Sequence, residues 1–188
     1  MATFRTSQAV SALDLSRPHV VLVGLPGAGK STIGKLAAER AKRAFLDFDR
    51  EIERRQSQSV TEIFAERGEQ FFRQLERELT QEVADVGGMI VAPGGGWIVD
   101  PANIAILKGR AQIVWLKVRP EVAIVRLRGE AMLRPLLVQP DPLAEMKKLL
   151  KEREALYAQA DHLINTEMVT LEQAVDRIAQ LASAKSGA

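Results

Sequence analysis

The stretch GLPGAGKST, Gly24 to Thr32, constrains the fold of this 188-residue chain more than any other segment. It satisfies the pattern G-x-x-x-x-G-K-[ST] through Gly24, Gly29, Lys30 and Ser31. Ahead of it runs the β-rich HVVLVG of 19–24. Behind it runs KSTIGKLAAERAKR of 30–43, with Ile33, Leu36, Ala37 and Ala41 at helical spacing. In a strand–loop–helix unit of this kind the glycines let backbone N–H groups curl around phosphate oxygens. Lys30 supplies a point charge for the outer phosphates, and the Ser31 hydroxyl can bind Mg2+. The helix start aims its positive end at the same place. Residues Gly27, Ala28, Gly29, Lys30, Ser31 and Thr32 are the expected phosphate site, with ATP the expected nucleotide.

The alternation continues along the chain. AFLDFD (44–49), GMIVAP (88–93), QIVWLKV (112–118) and HLIN (162–165) read as further strands. Segments 60–85, 101–108, 120–128, 143–160 and 170–182 read as helices, the first broken or kinked near Gly68. Asp100 before Pro101 is a cap followed by a first-turn proline. Five strands alternating with helices predict an α/β domain: a parallel sheet covered on both faces. Residues 129–142 carry three prolines and little periodicity, as a mobile lid would. The tails, 1–17 and 183–188, are expected to be disordered. All 188 residues are read as one domain with its core at about 18–182 and an acceptor-binding region at about 50–85.

Composition narrows the partners. With 26 basic and 24 acidic residues, the net charge of +2 selects none, but acids gather in 47–85 and arginines recur through 110–134. That separation suits a small anionic ligand rather than nucleic acid, which calls for a basic stripe. The absence of cysteine excludes disulfides, thiolate metal sites and cysteine nucleophiles, and two histidines make a histidine-based zinc site improbable. No apolar run approaches the ~20 residues of a membrane helix, and the first eighteen residues lack the apolar core of a secretory signal. A cytoplasmic monomer is expected.

The phosphate loop alone leaves a small-molecule kinase, a nucleotide-driven switch and a ligand-sensing domain open. No N-K-x-D guanine-reading motif and no hydrophobic-hydrophobic-D-E run occur, which favours the kinase. The acceptor side has three candidate constellations. Asp47 and Asp49 at the end of the second strand would share a face, one helping to hold Mg2+ and the other accepting a hydrogen bond from a substrate hydroxyl. Alternatively one of them only caps a helix over REIERR. Arg73 and Glu76, three apart on a helix, can pair and so aim the guanidinium at a carboxylate, or they decorate a solvated face. Gly94, Gly95 and Gly96 permit close backbone approach to an acceptor, or form a plain turn. Phe71 and Phe72 read as core anchors. Arg134 in the lid could carry charge onto a transferring phosphoryl group. Arg126 or Arg128 could stack on adenine, and Arg153 follows on the next helix.

The motifs taken as a set resemble the shikimate kinases, small P-loop kinases of the nucleoside-monophosphate-kinase type. The resemblance spans about 18–182 and rests on GLPGAGKST, FLDFD, EIFAERGEQFFRQLE, GGG, RPLL and EREALYAQAD. It implies a three-layer fold with five parallel strands in the order 2-3-1-4-5 and a mobile lid. It also implies transfer of the γ-phosphate of MgATP to the 3-hydroxyl of shikimate, giving shikimate 3-phosphate and ADP on the route to chorismate and the aromatic amino acids. By the same resemblance Lys30, Asp49 and Arg134 are catalytic, and Ser31 and Asp47 hold one Mg2+. Asp49, Arg73, Gly95, Gly96, Arg134 and Arg153 bind the acceptor, with Arg73 and Arg153 clamping its carboxylate. A gluconate-type kinase and a non-catalytic sensor remain the alternatives. Four features depart from the family pattern. Pro93 precedes the glycines, the lid RGEAMLRPLL lacks an Asp-Lys pair, and Trp97–Val99 form a bulky edge that could alter the acceptor pocket. NTEMVT carries no arginine, which leaves base recognition unassigned.

Overall fold

The computed structural model describes residues 17–127 and 140–184. Arg128, Arg134, most of the expected lid and most of both expected tails lie outside them. Strand β1 (His19–Val23) is buried along its whole length. It lies between β3 (Ile90–Ala92) and β4 (Ala111–Lys117), parallel to both, which explains the apolar run Val20–Val23. β2 (Phe45–Asp47) and β5 (His162–Asn165) form the edges, and the sheet runs β2-β3-β1-β4-β5. This is the strand order that the resemblance implies.

Local sequence explains most helix ends. α1 (Lys30–Ala41) starts at Gly29, and α2 (Phe48–Gln56) is capped by Asp47. α3 (Val60–Ala84) opens with a capping box in which Ser59 and Glu62 satisfy each other's backbone N–H groups. Gly68 interrupts it at φ 78°, ψ 172°, where the sequence placed a break. Proline begins α4 (Pro101–Leu107), α5 (Pro120–Leu127) and α6 (Pro142–Tyr157), with Asp100 and Asp141 capping the first and last of these. Residues 141 and 142 of the expected lid are therefore the cap and first residue of a helix. α7 (Leu171–Ser183) is capped by Thr170 and packs against α1.

The sequence reading misplaced the end of the second strand and assigned no element to Trp97–Val99. The second strand ends at Asp47, so Asp49 belongs to the first turn of α2 and not to a strand. Trp97–Val99 form a single 3-10 turn, with Trp97 and Ile98 buried in the core and Val99 exposed. The Trp97 indole N–H donates to Thr80 Oγ1 at 2.9 Å, and Thr80 donates in turn to the Glu76 carbonyl at 2.7 Å. That bulky edge therefore serves the packing of α3, and none of its residues lines the cavity described below.

At the opposite end of the sheet His19 is almost fully buried, and its Nδ1 accepts a hydrogen bond from the Met89 N–H at 3.1 Å. Burial, with Arg43 and Arg110 nearby, pushes its pKa from 6.5 down to about 4. The folded state thus resists a proton that the unfolded chain accepts below pH 6.5, so stability falls as pH drops through the window from 6.5 to about 4. Urea titrations at pH 7 and pH 5 should show the unsubstituted protein losing about 2 kcal/mol more than His19→Asn over that interval. Equal losses would mean that His19 is not the responsible group.

Candidate active site

All five strands are parallel, so their carboxyl ends face one edge of the sheet, where open α/β sheets bind ligands. A cavity of about 480 Å3 occupies that edge. The phosphate loop forms one wall, with Gly27, Ala28, Gly29, Lys30, Ser31 and Thr32 all lining it. Gly29 adopts φ 92°, a left-handed conformation that favours glycine, and from there the chain turns into α1. Among the described residues no side chain caps α1, and no acid occupies its first turn. Its leading N–H groups and positive dipole end are thereby left for an anion. Lys30 folds back over the loop, with Nζ donating to the carbonyls of Gly24 at 2.9 Å and Leu25 at 3.1 Å.

Asp47 caps a helix, as one of the two sequence alternatives had it, and it also lines the cavity beside Ser31. One carboxylate oxygen accepts the Arg50 N–H at 3.3 Å, capping α2, and the other accepts from Ser31 Oγ at 2.5 Å. Phe48, fully buried, turns the chain into the helix, and Asp49 then reaches the cavity from the first helical turn. The signal for α2 was present. Phe48 and Ile52 lie four apart, with Asp49 and Glu51 in the first turn and Arg54 and Arg55 in the last.

Arg73 and Glu76 are paired on α3, and Glu69, one turn earlier, also accepts from Arg73 at 2.9 and 3.2 Å. Glu76 is completely buried. Burial pushes its carboxyl up to about 7, against the pull of the Arg73 guanidinium; Asp49 adds a further push upward and Arg153 a pull downward. Glu76 Oε2 holds Arg73, while Oε1 has no hydrogen-bond partner among the described residues.

The triple glycine threads between these groups. A methyl group at Gly94 would stand 2.7 Å from Glu76 Oε1 and 2.9 Å from Asp49 Oδ1, and one at Gly96 would overlap the Arg73 guanidinium. Gly95 lines the cavity, and its carbonyl accepts from Arg153 Nη1 of α6 at 2.8 Å. Arg73, Arg153 and Gly96 are not among the residues lining the cavity; Arg153 bonds the carbonyl of Gly95, which does line it, and Arg73 abuts Gly96. Pro93, the departure noted in the sequence, lines the cavity beside Ala92.

The far wall joins residues that the sequence left unassigned to Arg126, one of the two arginines it offered for adenine. Thr166, Val169 and Thr170, in the loop after β5, face the cavity with Arg126 of α5. The Arg126 guanidinium donates to Thr166 Oγ1 at 2.9 Å and to the Thr166 carbonyl at 3.0 Å. The available signal was position: the segment follows the last parallel strand, on the ligand-binding edge.

Comparison with known proteins agrees with this geometry. The family model described as shikimate kinase matches residues 26–183. The shikimate kinase of Pelotomaculum thermopropionicum is 38% identical over 160 residues, covering 85% of this chain and 92% of that protein. The shikimate kinase of Moorella thermoacetica is 41% identical over 149 residues, covering 79% and 85%. Among solved structures, the shikimate kinase from Acinetobacter baumannii in complex with shikimate superposes with a TM-score of 0.82 at 35% identity, covering 89% of this chain and 93% of that one. A gluconokinase from Sinorhizobium meliloti shares the fold at a TM-score of 0.58, with 14% identity over 90% of this chain and 93% of that one. By the extent of the family match and the identity of its relatives, this chain belongs to the shikimate kinase family.

Proposed function

We propose that this enzyme transfers the γ-phosphoryl group of ATP to the 3-hydroxyl of shikimate, releasing ADP and shikimate 3-phosphate. The observation that carries this reading is the meeting of two anion sites at one stretch of backbone. The uncapped start of α1 and Lys30 lie on the phosphate-loop side. Asp49, Arg73 and Arg153 gather around Gly94–Gly96 on the other. The first suits a triphosphate, and the second suits a carboxylic acid that bears hydroxyls.

In this reading the phosphate loop and Lys30 hold the β- and γ-phosphates, and Arg73 and Arg153 clamp the carboxylate. Gly95 and Gly96 offer backbone contacts to the ring. Asp49 accepts a hydrogen bond from the attacking hydroxyl and takes its proton as the new O–P bond forms. The bond from the γ-phosphorus to the β–γ bridging oxygen breaks, and that oxygen leaves with ADP. Orientation and charge neutralisation account for the rate, because the phosphoryl group needs little covalent help. Arg134 would add its charge from the lid. Arg126, braced by Thr166, and Val169 supply a flat, partly apolar wall for the base.

Ser31 Oγ and Asp47 Oδ2, 2.5 Å apart, are a hard oxygen pair that would hold Mg2+. Bound there, the ion would neutralise charge on the outer phosphates. We further read the chain as one kinase domain, acting as a monomer in the cytoplasm on small molecules and not on nucleic acid or membrane. Among the described residues no helix is long and apolar enough to cross a membrane, and exposed large apolar side chains are few.

The decisive assay is ADP release with MgATP and shikimate, against gluconate and no acceptor as controls. Turnover is expected with shikimate alone; preference for gluconate, or none for either, would overturn the reading. Arg73→Ala should raise the shikimate KM on the order of 10²-fold and the ATP KM less than about threefold, since the clamp meets only the acceptor. An equal rise in both would make Arg73 structural. Gly96→Ala should act in the same direction without removing any charge, by displacing the guanidinium. A rise in shikimate KM of about tenfold is expected, and an unchanged value would contradict the steric argument.

A further inference from the structure

α6 presents two donors to one backbone oxygen. Arg153 Nη1 donates to the Gly95 carbonyl at 2.8 Å, and the Tyr157 hydroxyl donates to the same oxygen at 3.1 Å. The two residues are one helical turn apart, so they approach it from one helix face. A carbonyl oxygen has two lone pairs, and both can be engaged here at once.

The two donors differ in stiffness. Arg153 is a long side chain with many rotamers, whereas Tyr157 is completely buried. Its ring stacks on Trp115 of β4, with centroids 5.7 Å apart and planes at 26°. Trp115 is in turn the register partner of Val23, the last residue of β1 before the phosphate loop. The hydroxyl is therefore located from the sheet. Burial also pushes the phenol pKa up, which keeps it a donor throughout the working range.

No peptide bond among the described residues is cis. A trans peptide sets the Gly96 N–H opposite the Gly95 carbonyl, so holding that oxygen against α6 turns the Gly96 N–H away from α6. Gly96 itself abuts the Arg73 guanidinium. A methyl group at Gly95 would stand 3.4 Å from Arg153 Nη1, 3.6 Å from Pro26 Cδ and 3.8 Å from the Gly24 carbonyl. One short segment of backbone thus bonds Arg153, abuts Arg73 and lies within a methyl group's reach of the phosphate loop.

We infer that Tyr157 is a positioning residue for the acceptor: its hydroxyl locks the Gly95–Gly96 peptide and so sets the spacing of Arg73 and Arg153 without touching the substrate. The inference rests on the function proposed above. Tyr157→Phe keeps the ring and its stacking and removes only the oxygen. The loss of one buried hydrogen bond corresponds to about a three- to tenfold rise in shikimate KM, with the ATP KM changed less than about twofold. Because KM does not scale with the amount of folded enzyme, partial loss of the fold leaves the comparison valid. Arg153→Lys combined with Tyr157→Phe should give less than the product of the two separate effects, since both act on one oxygen. If Tyr157→Phe does not fold, Trp115→Phe serves in its place: it loosens the support under the ring and should raise the shikimate KM selectively by a smaller factor. An unchanged shikimate KM, or an equal rise in both KM values, would overturn the inference while turnover by the unsubstituted enzyme upheld the proposed function. Absence of shikimate-dependent turnover in the unsubstituted enzyme would overturn both.

Discussion

The backbone from Gly94 to Gly96 passes so close to Asp49, Glu76 and Arg73 that no side chain could be accommodated at its first or last residue without displacing one of them. This close approach organises the rest of the site. It lets α3 present a buried carboxylate and its guanidinium to the ligand-binding edge of the sheet. It brings α6 into reach of a main-chain carbonyl, and it leaves Gly95 facing the phosphate loop. The proposed donor and acceptor halves would thus share a strip of main chain, and main chain is less free to move than the long side chains around it.

Electrostatics give that strip a direction. A fully buried carboxylate is costly unless it is paired, and among the described residues Glu76 is paired through one oxygen only. The Arg73 guanidinium is tied to Glu76 and Glu69 on its own helix, which limits its freedom before any acceptor arrives. The raised carboxyl of Glu76 has a consequence opposite in sign to that of His19. Its folded-state pKa of about 7 lies above the ordinary 4.5, so its contribution to stability is present at low pH and is lost as pH rises through 7. His19 acts the other way, at the opposite end of the sheet. Comparing a His19 variant with the unsubstituted protein removes the Glu76 contribution, which is common to both.

Much of this was legible in the residues because it is local. An apolar run buried on both faces, glycines before a lysine, Ser59 with Glu62, and the break at Gly68 each act within a few positions. The pairing of Arg73 with Glu76 is likewise a matter of helical spacing. What the residues left open depends on contacts between distant segments. Phe48 suits a strand as well as a helix, and only its burial under the sheet settles where β2 stops. Asp47 reads as a cap or as a site residue; it caps α2 and, with Ser31 brought beside it from sixteen positions away, also lines the cavity. Trp97 looked like a pocket residue, yet its indole N–H has a buried partner on α3. The wall built by Thr166, Val169 and Arg126 depends on the strand order, which places the loop after β5 near α5 and the phosphate loop.

The central claim is that two arginines, spaced by one strip of glycine backbone, read a carboxylate. It is tested most directly by comparing shikimate with its uncharged carboxamide in the unsubstituted enzyme and in Arg73→Ala. The account predicts that the unsubstituted enzyme favours the acid by about 10²-fold in kcat/KM and that Arg73→Ala loses most of that preference, since the lost interaction is with the charge itself. The same preference for the acid in both proteins would contradict it.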